Sequence, residues 1–254
     1  CLQYPKDASV LENYPIRTNI IRGWKNDEVL FSVFHRLNSG SVKLSPQELR
    51  QSLRPGKFIS FISAYCEESP ALRSIFPGSE PDFRMRDVEL AIRFISLALF
   101  ISEYAGDLKR HLDTTVQRLN DEWDVRKNDV EKILARMEEG YQASVNAFGL
   151  SGVYRKWNGT NWEARTNRAV FDSIMFVILN DGALKAFNMD KSKVVDAFKA
   201  ACSVPAFRDA VEKTTKTTEA LFARINVFAE ELTKAGIDAP QLSLVNNRIV
   251  VVKI

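Results

Sequence analysis

Apolar residues recur at helical spacing along most of the chain. Over residues about 27 to 37, Val29, Leu30, Val33, Phe34 and Leu37 share one face, with Asn26 or Asp27 placed to cap its start. Ser45, Pro46 and Glu48 then supply an N-cap, a proline at the first helical position and a capping-box acid, and losing such a serine cap costs roughly 1 kcal/mol. Phe58, Ile59, Ile62, Tyr65 and Cys66 form a further stripe. Ser69-Pro70 opens a short helix that must stop by Pro77-Gly78. The most apolar window, "VELAIRFISLALFI", lies within a helix expected over about 86 to 104. In it Glu89 and Arg93 stand at i,i+4 in the favourable order. Leu108, Leu112, Val116, Leu119 and Trp123 keep the period, and Val130 through Phe148 carry it on to Gly149.

The pattern breaks at "LSGVYRKWNGTNWEART", where Asn158-Gly159 between aromatics predicts a tight turn or small hairpin. Asn158-Gly159-Thr160 also spells a glycosylation sequon, read as a chance match. Helical stripes resume at Ala169, Val170, Ile174, Val177 and Ile178, then at Val194, Val195, Phe198 and Ala201. A last helix bears Leu221, Phe222, Ile225, Phe228 and Leu232 and ends at Gly236, with Thr217 or Thr218 as its cap and Arg224 snorkelling or paired. The β-branched tail "LSLVNNRIVVVKI" turns at Asn246-Asn247 and predicts a short hairpin or edge strand. The expected architecture is mainly α: a multi-helix bundle with a short C-terminal β-hairpin. The break near 150 suggests two subdomains, 1–150 with the Arg-Leu-Asn-Ser-Gly segment and 151–254 with the hairpin.

Composition narrows the function classes. A chain of 254 residues with 45% hydrophobic content can fill a sizeable core, and a formal net charge of +3 announces no whole-molecule nucleic-acid field. The three cysteines are widely spaced and the two histidines, His35 and His111, lack companions at metal-ligand spacing, which argues against a disulfide framework, a metal site and a Ser/His triad. No cationic-then-apolar leader opens the chain, and the apolar window is shorter than the roughly 20 residues of a membrane span. A cytoplasmic location without membrane association is therefore expected. The first residue is Cys1 rather than Met, as in a segment of a longer protein.

No phosphate-loop, dinucleotide, zinc-protease or nucleophile-elbow motif is present, and the adjacent acids Glu67-Glu68, Glu138-Glu139 and Glu230-Glu231 read as solvated helix faces. Arg36, Lys43, Arg50, Arg54 and Lys57 lie in a 22-residue window opposed only by Glu48. A Ser-Gly turn followed by a helix N-terminus could hold a phosphate there. Asn38, Gly40, Ser45 and Glu48 also suffice as plain helix-stop and helix-start signals. A second cluster, Arg84, Arg86, Asp87, Glu89 and Arg93, borders the apolar run, where charges pair with one another or reach a shared anion.

The stretch "VFHRLNSGSVKLSPQELRQSL" resembles the first motif of the GmrSD-type restriction enzyme N-terminal domain family of bacterial phage-defence proteins, also called the DGQQR or ParB-like nuclease family. Phe34, Arg36, Leu37, Asn38, Gly40, Leu44, Gln47, Glu48, Leu49 and Arg50 carry the likeness, with Ser41 where a second glycine is frequent. "RMRDVELAIRFISLALF" is similar to a later helix of that family through Arg84, Asp87, Glu89, Leu90, Arg93 and Phe94. "RTNRAVFDSIMF" and "TTEALFARI" look like its later helices, and the likeness grows diffuse after about residue 160. The resemblance implies a helical portion that works with an upstream ParB-like α/β domain, in the same or a separate chain. Arg36, Asn38, Gly40 and Arg50 would bind a nucleotide or phosphate, and Arg86, Asp87, Glu89 and Arg93 would form an ion-pair network beside it. The family's Asp-Gly-Gln-Gln-Arg motif and its HNH nuclease domain are absent, so the chain carries no catalytic residues of its own and no metal. A nucleoside triphosphate is implied only for the complete protein, in support of DNA restriction. The alternative is a non-catalytic helical module that binds DNA or a partner protein.

Overall fold

The computed structural model describes residues 44–77, 82, 84–213 and 215–254, together with 12–15, 18, 20, 22–23, 29, 32–33 and 36. The chain divides into two compact units, Cys1–Lys43 and Leu44–Ile254. In the first unit Val29, Ser32, Val33 and Arg36 are helical, and the remainder of the helix expected there lies outside the described residues.

Among its described residues the second unit is a mainly α bundle of eleven α-helices closed by a two-stranded hairpin. In chain order these are α1 Pro46–Leu53, α2 Lys57–Glu68, α3 Pro70–Ile75, α4 Arg86–Phe100, α5 Leu108–Asp121, α6 Trp123–Gly152, α7 Arg168–Val177, α8 Asp181–Met189, α9 Lys191–Ser203, α10 Pro205–Glu212 and α11 Thr218–Lys234, followed by β1 Gln241–Val245 and β2 Arg248–Lys253. The 30-residue α6, about 45 Å long at 1.5 Å per residue, is the spine, packing against α2, α3, α4, α5, α7, α8 and α9. Its helical geometry breaks at Gly149, whose φ of 67° suits the glycine that ends the apolar stripe there.

Local signals explain most element ends. Ser45 accepts from the Glu48 amide while Glu48 reaches back to the Ser45 amide, so the capping box is fully formed. Asn167, Asn180 and Thr217 cap α7, α8 and α11 in the same way. At the end of α11 the Ile237 amide bonds to Leu232 O and the Gly236 amide to Thr233 O, a Schellman closure that also brings Ile237 onto the core. Asn246 and Asn247 both have positive φ, 49° and 59°, the conformation a two-residue hairpin turn requires. Asn158 makes the other expected turn: its side-chain oxygen accepts from the Thr160 and Asn161 amides beneath a Trp157–Trp162 bridge.

One apolar core runs from Phe58 to Ala239 and crosses residue 150 without a seam. Phe148 is the hub of its aromatic part, with Trp162, Phe187 and Phe198 edge-on around it. A smaller cluster of Leu97, Ile101, Tyr104, Phe176, Leu221 and Ile225 seats the hairpin through Leu242 and Ile249. No helix among the described residues is long and apolar enough to cross a membrane.

Candidate functional site

Two of the charged segments singled out in the sequence meet at the start of α1. The Ser45 hydroxyl, besides capping its own helix, donates to the Arg84 carbonyl at 3.3 Å, and the Arg84 guanidinium lies 3.4 Å from Glu48. A polar knot thus ties α1 to the residues just before α4, across nearly forty positions of sequence. On the opposite side of α1, Arg50 is 1% exposed; its Nε bonds to Asp113 at 2.7 Å and its Nη1 to Gln47. Gln47 is itself fully buried, and its side-chain nitrogen has no hydrogen-bond partner.

Of the residues expected to bind a nucleotide or phosphate, Arg36 is an exposed helical residue of the first unit, and Asn38 and Gly40 lie outside the described residues. Arg50 is in the second unit and is engaged as a strut between α1 and α5. Lys57, from the same basic window, is exposed and pairs with Asp124 at 2.8 Å.

The second cluster opens outward into separate pairs. Arg86 bonds to Asp82 at 2.6 Å and lies over the Phe76 ring. Asp87 is buried and accepts the amide of Val88; burial, reinforced by the charge on Asp82, holds its carboxyl above the usual range. The i,i+4 pairing expected of Glu89 and Arg93 is replaced by longer-range partners. Glu89 binds Arg168 at 2.8 Å, and Arg93 turns inward to Asp172, both on α7. The reason is rotational: Arg93 sits on the face of α4 that packs against α7, where a carboxylate already waits in a desolvated setting.

That carboxylate organises the most concentrated charge in the interior. Asp172 is 1% exposed and takes two bonds from Arg93, at 2.5 and 2.6 Å, and one from Arg224 Nη2 at 2.8 Å. Arg224 Nη1 also donates to Thr215 O, while its Nε is buried without a partner. Arg224 therefore does not snorkel; it is the second cation on a single acid. Burial lowers the Arg224 pKa further than Asp172 can restore it. At Arg93 burial pulls the same way, but the bidentate contact more than offsets it. Tyr104 stands beside the pair and donates to Lys216 O, its phenol pushed up to about 12 chiefly by burial. The acid at the centre of this triad is missing from the candidate residues read from sequence. Its signal is a lone carboxylate in "AVFDSIMFV", a segment buried throughout.

Comparison with protein-family models, with curated proteins and with solved structures finds no match. What the arrangement can do must therefore be judged from its own chemistry. Burial raises both described thiols, Cys66 and, to about 11, Cys202, so neither is a ready nucleophile at neutral pH. Among the described residues no group of three or more His, Cys, Asp or Glu is placed to hold a metal ion. Buried ion pairs joining α1 to α5 and α4 to α7 and α11 make a rigid platform.

Proposed function

We propose that this chain is the helical part of a GmrSD-like phage-defence protein, working with a ParB-like α/β domain that supplies the hydrolytic motif. In this reading Arg36, Asn38 and Gly40 contact the nucleotide or its phosphates. The helix that follows them in sequence is held by Arg50, Ser45 and Glu48. The observation that carries the reading is the Ser45–Arg84–Glu48 knot, which joins the two segments of greatest family likeness in one place.

The DNA-surface alternative is less well supported. Among the described cations of the basic window, Arg50 is matched by Asp113 and Lys57 by Asp124, which reduces the charge left for phosphate contacts. The deciding experiment is calorimetric titration of nucleoside triphosphates into the complete protein and its Arg36→Ala and Asn38→Ala variants. A loss of about tenfold or more in affinity is expected, the size of a lost charged hydrogen bond. Unchanged nucleotide affinity in both variants would sink the proposal.

A further inference from the structure

Between the end of α3, the start of α4 and the N-terminus of α7 lies an open cleft of about 180 Å³. Its floor is apolar, formed by Leu90, Tyr154 and Phe171, with Phe76 on one side. Two cations, Arg86 and Arg168, stand on its walls, and among the described residues lining it there is no acid. The carboxylates that pair with those arginines, Asp82 and Glu89, approach from outside the cleft. Arg168 uses only Nη1 for Glu89 and Arg86 only its Nε for Asp82, so each keeps further guanidinium donors. The first turn of α7 adds another donor. Asn167 satisfies the amides of Ala169 and Val170 but leaves that of Arg168, itself a lining residue, without a bond.

We propose that this cleft binds a small aromatic carboxylate, its ring on the Leu90–Phe171 floor and its carboxylate between Arg86 and Arg168. An apolar cavity of about 150 Å³ accommodates a benzene ring, so the cleft has room for one ring. A planar anion is the complement of the remaining guanidinium donors and a helix N-terminus, and the apolar side chains of Leu90 and Phe171 favour a ring. The site uses none of Arg36, Asn38 or Gly40, so the outcome of its test is read separately from that of the nucleotide titration.

The test is a titration of benzoate followed by methyl NMR at Leu90 and Ile75, with benzyl alcohol as the uncharged counterpart. Saturable shifts with benzoate, and at least tenfold weaker binding of benzyl alcohol, are expected. Arg168→Gln weakens benzoate about tenfold, the factor for one charged hydrogen bond. Glu89→Gln, which releases Arg168 from its carboxylate, tightens it severalfold. Arg168 is 47% exposed, so its replacement leaves the fold in place. The proposal is overturned if benzoate gives no saturable shift at these methyls, if benzyl alcohol binds equally well, or if Arg168→Gln and Glu89→Gln move affinity in the same direction.

Discussion

Replacing Asp172 with asparagine removes the one acid that two buried arginines share. The side chains of Asp172, Arg93 and Arg224 are 1%, 7% and 2% exposed, so water cannot take over the lost role. Asparagine keeps one acceptor oxygen but turns an amide NH2 towards a guanidinium, setting donor against donor. Breaking a buried pair by removing one partner costs about 3–5 kcal/mol. At roughly 2–4 °C per kcal/mol for a unit of this size, the midpoint of thermal unfolding should fall by about 6–20 °C. Circular dichroism melts and urea titrations of Asp172→Asn against the parent protein measure it directly. Arg224→Met is the internal control, because it leaves Arg93 and Asp172 as a complete bidentate pair and should cost clearly less. A loss under about 1 kcal/mol in Asp172→Asn, the level of an exposed salt bridge, would refute the claim that this carboxylate holds α4, α7 and α11 together.

Two further outcomes are expected. Ser45→Ala should lower stability by roughly 1 kcal/mol in urea unfolding, and by more than a plain cap because the Arg84 carbonyl also loses its donor. His111, held below the usual histidine range by burial, contributes stability present above pH 6.5 that is lost as pH falls through its folded pKa, because the unfolded chain takes up the proton first. Its ring meets Tyr104 edge-on and Ser96 O, and it lines a shallow polar cleft together with Glu103, Asp107 and Arg110. Melting temperatures between pH 7.5 and 5.5 should therefore decline less steeply in His111→Gln than in the parent.

The parts of the fold that were legible in the sequence are those encoded within a few residues. The Ser45–Glu48 capping box, the Asn158 turn, the Gly236 helix end and the Asn246-Asn247 hairpin each depend on residue types at short, fixed offsets, and each stands as expected. Short helices were harder to see: Asp181–Met189 and Pro205–Glu212 have too few turns for a stripe to emerge. Charge pairing was read least well. The i,i+4 rule favours Glu89 with Arg93, yet each has a partner 79 residues away on α7: burial against the neighbouring helix draws Arg93 to Asp172, outweighing the few tenths of a kcal/mol of a surface pair, and Glu89 pairs with the exposed Arg168. For the same reason Arg50, which looks like an open cation in sequence, is spent on Asp113 inside the bundle.

The triad also bears on the order in which the bundle assembles. Within the triad Arg93 and Asp172 by themselves make a balanced pair, one positive charge against one negative. Arg224 emerges 52 residues later and brings a cation to a seat that is electrically complete. Burying its charge costs more than Asp172 returns, so the last helix must be drawn in by Leu221, Ile225, Phe228 and Leu232, all but dry in the finished bundle. Apolar adhesion supplies the drive that docks α11, and the bond from Arg224 to Asp172 then holds it in register.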